Sequence, residues 1–371
     1  RLAGEATTGS DDVLDAVVRF AIGWLATGKF VTSLSILFGI GAALIAARAL
    51  REGSSPRPLL ARRYVALMLF GIAHMLLYPG DILFVYGVTG MCLLPFVMLR
   101  VPALLGWSLG LFIAFNSLEV VYLLSVTTLE AAPYVDTAPA EASDDIWSEK
   151  RAATIAAFMQ GAYLDIVPIH IWQALLLQSM QLPALPWILS LFLLGYAVAR
   201  AGVLYDLEAH RRVLRAGALI GLGIGLPANI GVGLGGPLAG WGPTPADEPL
   251  WITQWQTLGF VLGEPLLAIG YLCALSLLFM KRGAPPRLVA VGRMTLTAYM
   301  LQSVLGLCVF LGLRLYDQLT NATALLAVIV IWCVLLVACP IWLRHFQIGP
   351  AEWLWRTLTY GRIQPLRIAR N

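Results

Sequence analysis

Residues 322–343 read ATALLAVIVIWCVLLVACPIWL, twenty-two positions without an Asp, Glu, Lys or Arg. A helix rises 1.5 Å per residue, so about 20 apolar residues cross a hydrocarbon core of about 30 Å, and this stretch predicts a membrane-spanning helix. Working back along the chain, eight further apolar runs of comparable character fall at 30–47, 64–78, 82–99, 101–126, 186–199, 216–236, 252–280 and 294–313. The runs at 64–78 and 186–199 are short and must reach into their flanks by about 2–4 residues. Composition agrees: 59% of the 371 residues are hydrophobic and 12% charged, where about 25% is charged in an ordinary soluble domain. Low charge with high apolarity excludes intrinsic disorder. A net charge of +4, from 25 basic and 21 acidic residues, gives no basic field for nucleic acid. The expected fold is all-α: one polytopic transmembrane helix bundle of about nine spans, covering 1–371.

Orientation follows from Lys and Arg, which are retained in the cytoplasm when they lie near span ends. If the segment between the first two spans is cytoplasmic, 19 of the 25 basic residues share that side, among them Arg48, Arg51, Arg57, Arg62, Arg63, Arg200, Arg293, Arg344, Arg356 and Arg362. The other side keeps Arg1, Arg19, Lys29, Lys150, Arg151 and Arg314, with the acids Glu130, Asp136, Glu141, Asp144, Asp145 and Glu149. This predicts an extracytoplasmic acidic loop and interfacial helix at 127–181, an outer amphipathic helix at 11–27, and a cytoplasmic amphipathic tail at 344–371. A tenth span at 163–181 would put the basic segment 200–215 outside. The chain as given then starts outside, and one further span before Arg1 would make ten and return both ends to the cytoplasm.

Ionisable groups inside spans cost a few kcal/mol and point to a partner, a water-filled cavity or a function. The densest group is His74-Met-Leu-Leu-Tyr78-Pro79-Gly80-Asp81-Ile82-Leu83-Phe84-Val85-Tyr86, at the outer turn between the second and third spans. An imidazole titrates ordinarily near pH 6.5 and suits proton handling, and Asp81 follows two helix breakers where it can cap the next helix. His74 and Asp81 are the catalytic candidates. As a cap alone, Asp81 would tolerate Asn at a cost well under about 1 kcal/mol. Cavity candidates are Tyr86 in the same turn, Glu264 ahead of the helix-bending Pro265, Asn116 and Glu119 one turn apart on one face, and His170 with Trp172 on the interfacial helix. Arg293, Tyr299 and Gln302 complete the set, the last two in a polar stripe with Thr295. Plainer roles stay open for each: a capped hairpin, an Arg-paired packing Glu, a solvated His, a snorkelling Arg, a helix-packing stripe.

No phosphate-binding loop, HExxH, GxSxG or metal-ligand spacing is found, so no cofactor or metal is expected. Cys92, Cys273, Cys308, Cys333 and Cys339 all sit in apolar runs and read as small hydrophobes.

The ordered motifs Lys29-Phe30, SILFGIGAAL, GIAHMLL-x-x-GDILFVYG, LFLLGYAVARAGVL, VGRMTLTAYMLQS and IGPAEWLWRTLTYGR resemble the YeiB-like bacterial inner-membrane proteins, domain of unknown function 418, nearly end to end. The family's first span, with its Asp-x-x-Arg-Gly start, is not in this sequence. The resemblance implies a polytopic plasma-membrane protein, and that opening span is similar to one in membrane acyltransferases that acetylate sugars. Two functions are weighed: a transporter or translocator of a small solute or lipid-linked substrate, motivated by Glu264 and the outer turn, and an acyltransferase with His74 as general base oriented by Asp81. A non-catalytic scaffold is the third. The expected partners are membrane lipids and a second copy in a symmetric dimer, with no nucleic acid.

Overall fold

A computed structural model describes residues 11–129, 140–235 and 249–368. Among these the chain is helical throughout, apart from turns and one isolated bridge, Phe346 with Arg367. The acidic stretch 130–139 lies outside the described residues, as do the side chains of Glu141, Asp144, Asp145 and Glu149.

The first half comprises α1 (Asp11–Leu25), α2 (Lys29–Arg51), α3 (Pro56–Met75), α4 (Leu83–Leu93), α5 (Val101–Leu129), α6 (Ala140–Gln160), α7 (Tyr163–Gln181) and α8 (Leu185–Arg200). The second comprises α9 (Arg211–Ala228), α10 (Ile230–Gly235), α11 (Leu250–Leu258), α12 (Glu264–Arg282), α13 (Pro286–Arg293), α14 (Thr295–Leu307), α15 (Asn321–Leu343) and α16 (Pro350–Tyr360). Prolines start α3, α8, α12, α13 and α16, where the missing N–H goes unused and the fixed φ is already helical.

Six segments are long and apolar enough to cross a membrane: Val13–Arg51, Val101–Leu118, Tyr163–Arg200, Trp251–Arg282, Thr295–Gly312 and Asn321–Leu343. The expected runs in α3, α4 and α9 fall short of that measure for visible reasons. Arg57, Arg62 and Arg63 occupy the start of α3, Arg211, Arg212 and Arg215 the start of α9, and α4 has only 11 residues. Two of these segments join neighbouring helices, α1 with α2 and α7 with α8, into continuous apolar stretches.

The core forms around α8, which packs against α2, α4 and α5, while α12 packs along α9 and touches α2. The α2–α8 contact depends on a pair of glycines: a Cβ on Gly39 would strike the Phe192 carbonyl, and one on Gly195 the Ile36 carbonyl. Small residues allow this close approach where lipid supplies no hydrophobic drive between helices. Trp187, Tyr64, Tyr86, Tyr196 and Phe192 fill the interior. Lys29, His74, Asp81 and Glu264 are completely buried with them. By contrast α15 leaves Leu326, Ile329, Val330 and Val337 exposed, the apolar exterior expected of a helix facing lipid.

Candidate functional site

After α3 the chain must reverse. Pro79-Gly80 ends helical geometry and Asp81 stands just before α4, which brings the last turn of α3 against the first of α4. His74 Nδ1 lies 2.8 Å from Asp81 Oδ1. The other carboxylate oxygen, Oδ2, accepts the Phe84 N–H at 2.8 Å, so Asp81 holds the helix start and the imidazole at once. On the far side of the ring, His74 Nε2 lies 2.8 Å from the Ser303 hydroxyl on α14. Tyr299, one turn before Ser303, sets its ring 4.7 Å from the imidazole and its hydroxyl donates to Asp81 Oδ1 at 3.4 Å. With Nδ1–H donating to Asp81, Nε2 presents its lone pair to Ser303 O–H, the carboxylate–imidazole–hydroxyl order of a general base.

Helix α7 is fastened over this turn. His170 Nδ1 and the Tyr163 hydroxyl donate to the Leu76 carbonyl at 2.9 and 3.0 Å, and Gln178 Nε2 donates to the Asp81 carbonyl at 2.8 Å. His170 is therefore buried and bonded over the turn rather than solvated. Trp172 receives the Lys150 ammonium 4.0 Å above its ring.

A second polar centre surrounds Glu264. Helix α11 runs into α12 through a π turn, Gly259–Gly263, so the distortion expected from Pro265 appears before it, as a widened turn, and Pro265 itself sits in the first turn of α12. Glu264 is fully buried at this point, with Lys29 Nζ 3.9 Å from its Oε1. Lys29 donates its hydrogen bond elsewhere, to the Gly23 carbonyl at 2.9 Å. Neither Glu264 oxygen accepts a hydrogen bond from a described residue, and the buried Asn229 Oδ1 on the neighbouring α9–α10 break is also without a partner among them. Gly28 closes the pocket from above: its φ is 76°, and a Cβ there would overlap the Glu264 carboxylate.

Tyr86 relates the two centres. Its hydroxyl donates to the Val31 carbonyl at 2.9 Å and pairs with Ser35 Oγ at 2.7 Å, tying the first turn of α4, just after Asp81, to the first turn of α2, just after Lys29. Its ring is packed edge-on against Phe38 and Phe192 with no exposed surface.

The remaining candidates stand apart. Asn116 is buried on α5, where Nδ2 donates to the Phe112 carbonyl at 2.7 Å; the Glu119 side chain lies outside the described residues. Gln302 is half-buried beside Ser303. Arg293 is ten residues, about 15 Å of helix, before Ser303; it is exposed and donates to the Gln347 carbonyl at 2.8 Å. Sequence reasoning missed Ser303, Lys29 and Gln178. The signal for Ser303 was the four-residue step Thr295, Tyr299, Ser303; that for Lys29 was a lone cation opening an apolar run. Among the described residues no group of three or more His, Cys, Asp or Glu is placed to hold a metal.

Residues 198–362 match the family described as "Protein of unknown function (DUF418)". The chain is 29% identical over 359 residues to YxaH of Bacillus subtilis, an alignment covering 91% of this chain and 81% of that protein. It is likewise 29% identical over 356 residues to YeiB of Escherichia coli, covering 91% and 83%. Both relatives are described as uncharacterized. No solved structure matches.

Proposed function

We propose that this chain, a YeiB-like protein with a DUF418 region over residues 198–362, is a multi-pass translocator of a small solute or a lipid-linked substrate in the bacterial plasma membrane, with Lys29 and Glu264 as its coupling pair. The observation that carries this reading is the fully buried Glu264 carboxylate, 3.9 Å from Lys29 and without a hydrogen-bond donor on either oxygen among the described residues. Burying two ions costs several kcal/mol each, and a pair kept for structure recovers that through contact distance and saturated oxygens. This pair has neither. It keeps the capacity to take a proton or a cation, at a π turn of the kind found at functional sites and beside a broken helix, a recurrent arrangement in transporters.

The topology that goes with this reading has nine crossings: α2, α3, α4, α5, α8, α9, α11 with α12, α14 and α15. In it α1 and α7 lie at the outer interface, α13 and α16 at the cytoplasmic one, and the C-terminus is cytoplasmic, as the basic residues favour. The exposed apolar faces of α14 and α15 suit lipid and a second copy of the chain; a monomeric mass in nanodiscs would remove the dimer.

Acyl transfer is the second reading, favoured by the Asp81–His74–Ser303 chain of hydrogen bonds. One assay separates the two. Proteoliposomes are loaded with a bacterial cell extract containing acyl donors, and their contents are compared with those of protein-free liposomes by mass spectrometry. Translocation removes unmodified compounds; acyl transfer makes new acylated ones, lost in His74→Gln.

A further inference from the structure

At the other end of α14 from His74, the segment returning from α15 through α16 borders an open-mouthed cavity of about 680 Å³. Three arginines line it from three different elements: Arg63 on α3, Arg293 at the end of α13 and Arg356 on α16. Glu352 is the one carboxylate in its lining, and it is already engaged. Its Oε1 accepts the N–H groups of Leu296 and Thr297 at 2.6 and 3.0 Å, and its Oε2 accepts the Thr297 hydroxyl at 2.5 Å. The negative charge is thereby spent on the N-terminus of α14, where unpaired N–H groups and the helix dipole attract it.

Among the described residues none of the three arginines is in an ion pair. Two of them, Arg63 and Arg293, are held in place. The Arg63 guanidinium lies 3.5 Å from the centre of the Trp355 ring, and Trp355 Nε1 donates back to the Arg63 carbonyl at 3.0 Å. Arg293 spends one N–H on the Gln347 carbonyl at 2.8 Å, leaving its other donors free to turn inward. Three arginines thus border one space whose single carboxylate is bonded to the start of α14 and not to any of them.

We propose that this cavity binds a phosphate group, supplied by the headgroup of an anionic phospholipid. Guanidinium forks match phosphate oxygens two at a time, and the volume falls in the range of small-ligand sites, about 300–1,000 Å³, far beyond a halide. The lipid source is favoured by α16, which exposes Leu354 and Leu358 while burying Trp355 and Thr359, the two-faced pattern of a helix lying in a membrane surface. This inference is independent of whether the outer site transports or acylates.

The test uses the purified full chain in detergent, exposed to phosphatidylglycerol or phosphatidylcholine and read by native mass spectrometry and by melting. Phosphatidylglycerol should be retained about tenfold more strongly than phosphatidylcholine, and Arg293→Gln or Arg356→Gln should each lose about tenfold, the value of one charge-assisted hydrogen bond. Both side chains are exposed, so unliganded melting should not change; if it does, the lipid preference of the unaltered chain decides. Protection by inorganic phosphate with no lipid preference keeps the phosphate site and overturns its lipid source. Equal retention of the two lipids with no response to phosphate overturns the proposal.

Discussion

Lys29 faces Glu264 across 3.9 Å inside the protein without hydrogen-bonding to it, because the ammonium spends that bond on the Gly23 carbonyl. Each charge is therefore kept tolerable mainly by the other's field. Lys29→Met or Glu264→Gln alone should destabilise the chain by about 3–5 kcal/mol, since each strands a buried charge. The double variant, neutral at both positions, should recover most of that loss. Denaturation of the purified protein in detergent measures it, and additive losses would show that the two charges do not depend on one another.

Gly28 predicts a sharp asymmetry among glycines. With φ at 76° and the Glu264 carboxylate directly over it, Gly28→Ala should cost more than about 1–2 kcal/mol, the left-handed penalty alone. Gly41, within α2 and with nothing within 4 Å of a new Cβ, should accept Ala with a gain of up to about 1 kcal/mol. Equal melting temperatures for the two variants would mean that the α1–α2 turn does not press on Glu264.

Asp81 behaves differently from a simple cap. Its two oxygens serve His74 and Phe84 separately, whereas Asn has one oxygen and one NH2 and keeps both partners only if the imidazole takes its other tautomer and Ser303 turns from donor to acceptor. Asp81→Asn should therefore cost about 1–3 kcal/mol, a weakened buried hydrogen-bond chain, instead of the small change expected of a cap alone. Ser303→Ala, which removes only the outer bond to Nε2, should cost about 1 kcal/mol. A double-mutant cycle between Asp81 and Ser303 should show coupling through the imidazole; strictly additive losses would dissolve the three-residue chain.

The orientation is checked at Ile363, 80% exposed just beyond α16. In a chain otherwise free of cysteine, Ile363→Cys should resist a membrane-impermeant thiol reagent in intact cells and react once the membrane is opened. Labelling from outside would invert the topology.

The helices were legible because an apolar run of membrane length has few alternatives, and the His74–Asp81 turn because Pro79-Gly80 announces a reversal. Glu264 was legible as a residue in the wrong solvent. Its partner was not: Lys29 lies 235 positions away and looked like one more charge at a span end. The sequence suggested an arginine for that role, but a guanidinium fork would have saturated the carboxylate. Tyr86 looked like part of a polar cluster, yet its ring is enclosed by Phe38 and Phe192, a matter of packing that spacing does not encode.

The central claim is that the buried pair drives translocation, and the neutral variant Lys29→Met with Glu264→Gln tests it most directly. Reconstituted into extract-loaded proteoliposomes, it should melt within a few degrees of the unaltered chain yet leave the vesicle contents identical to those of protein-free liposomes, while the unaltered chain removes specific unmodified compounds. Removal of the same compounds by both proteins at the same rate would contradict the account.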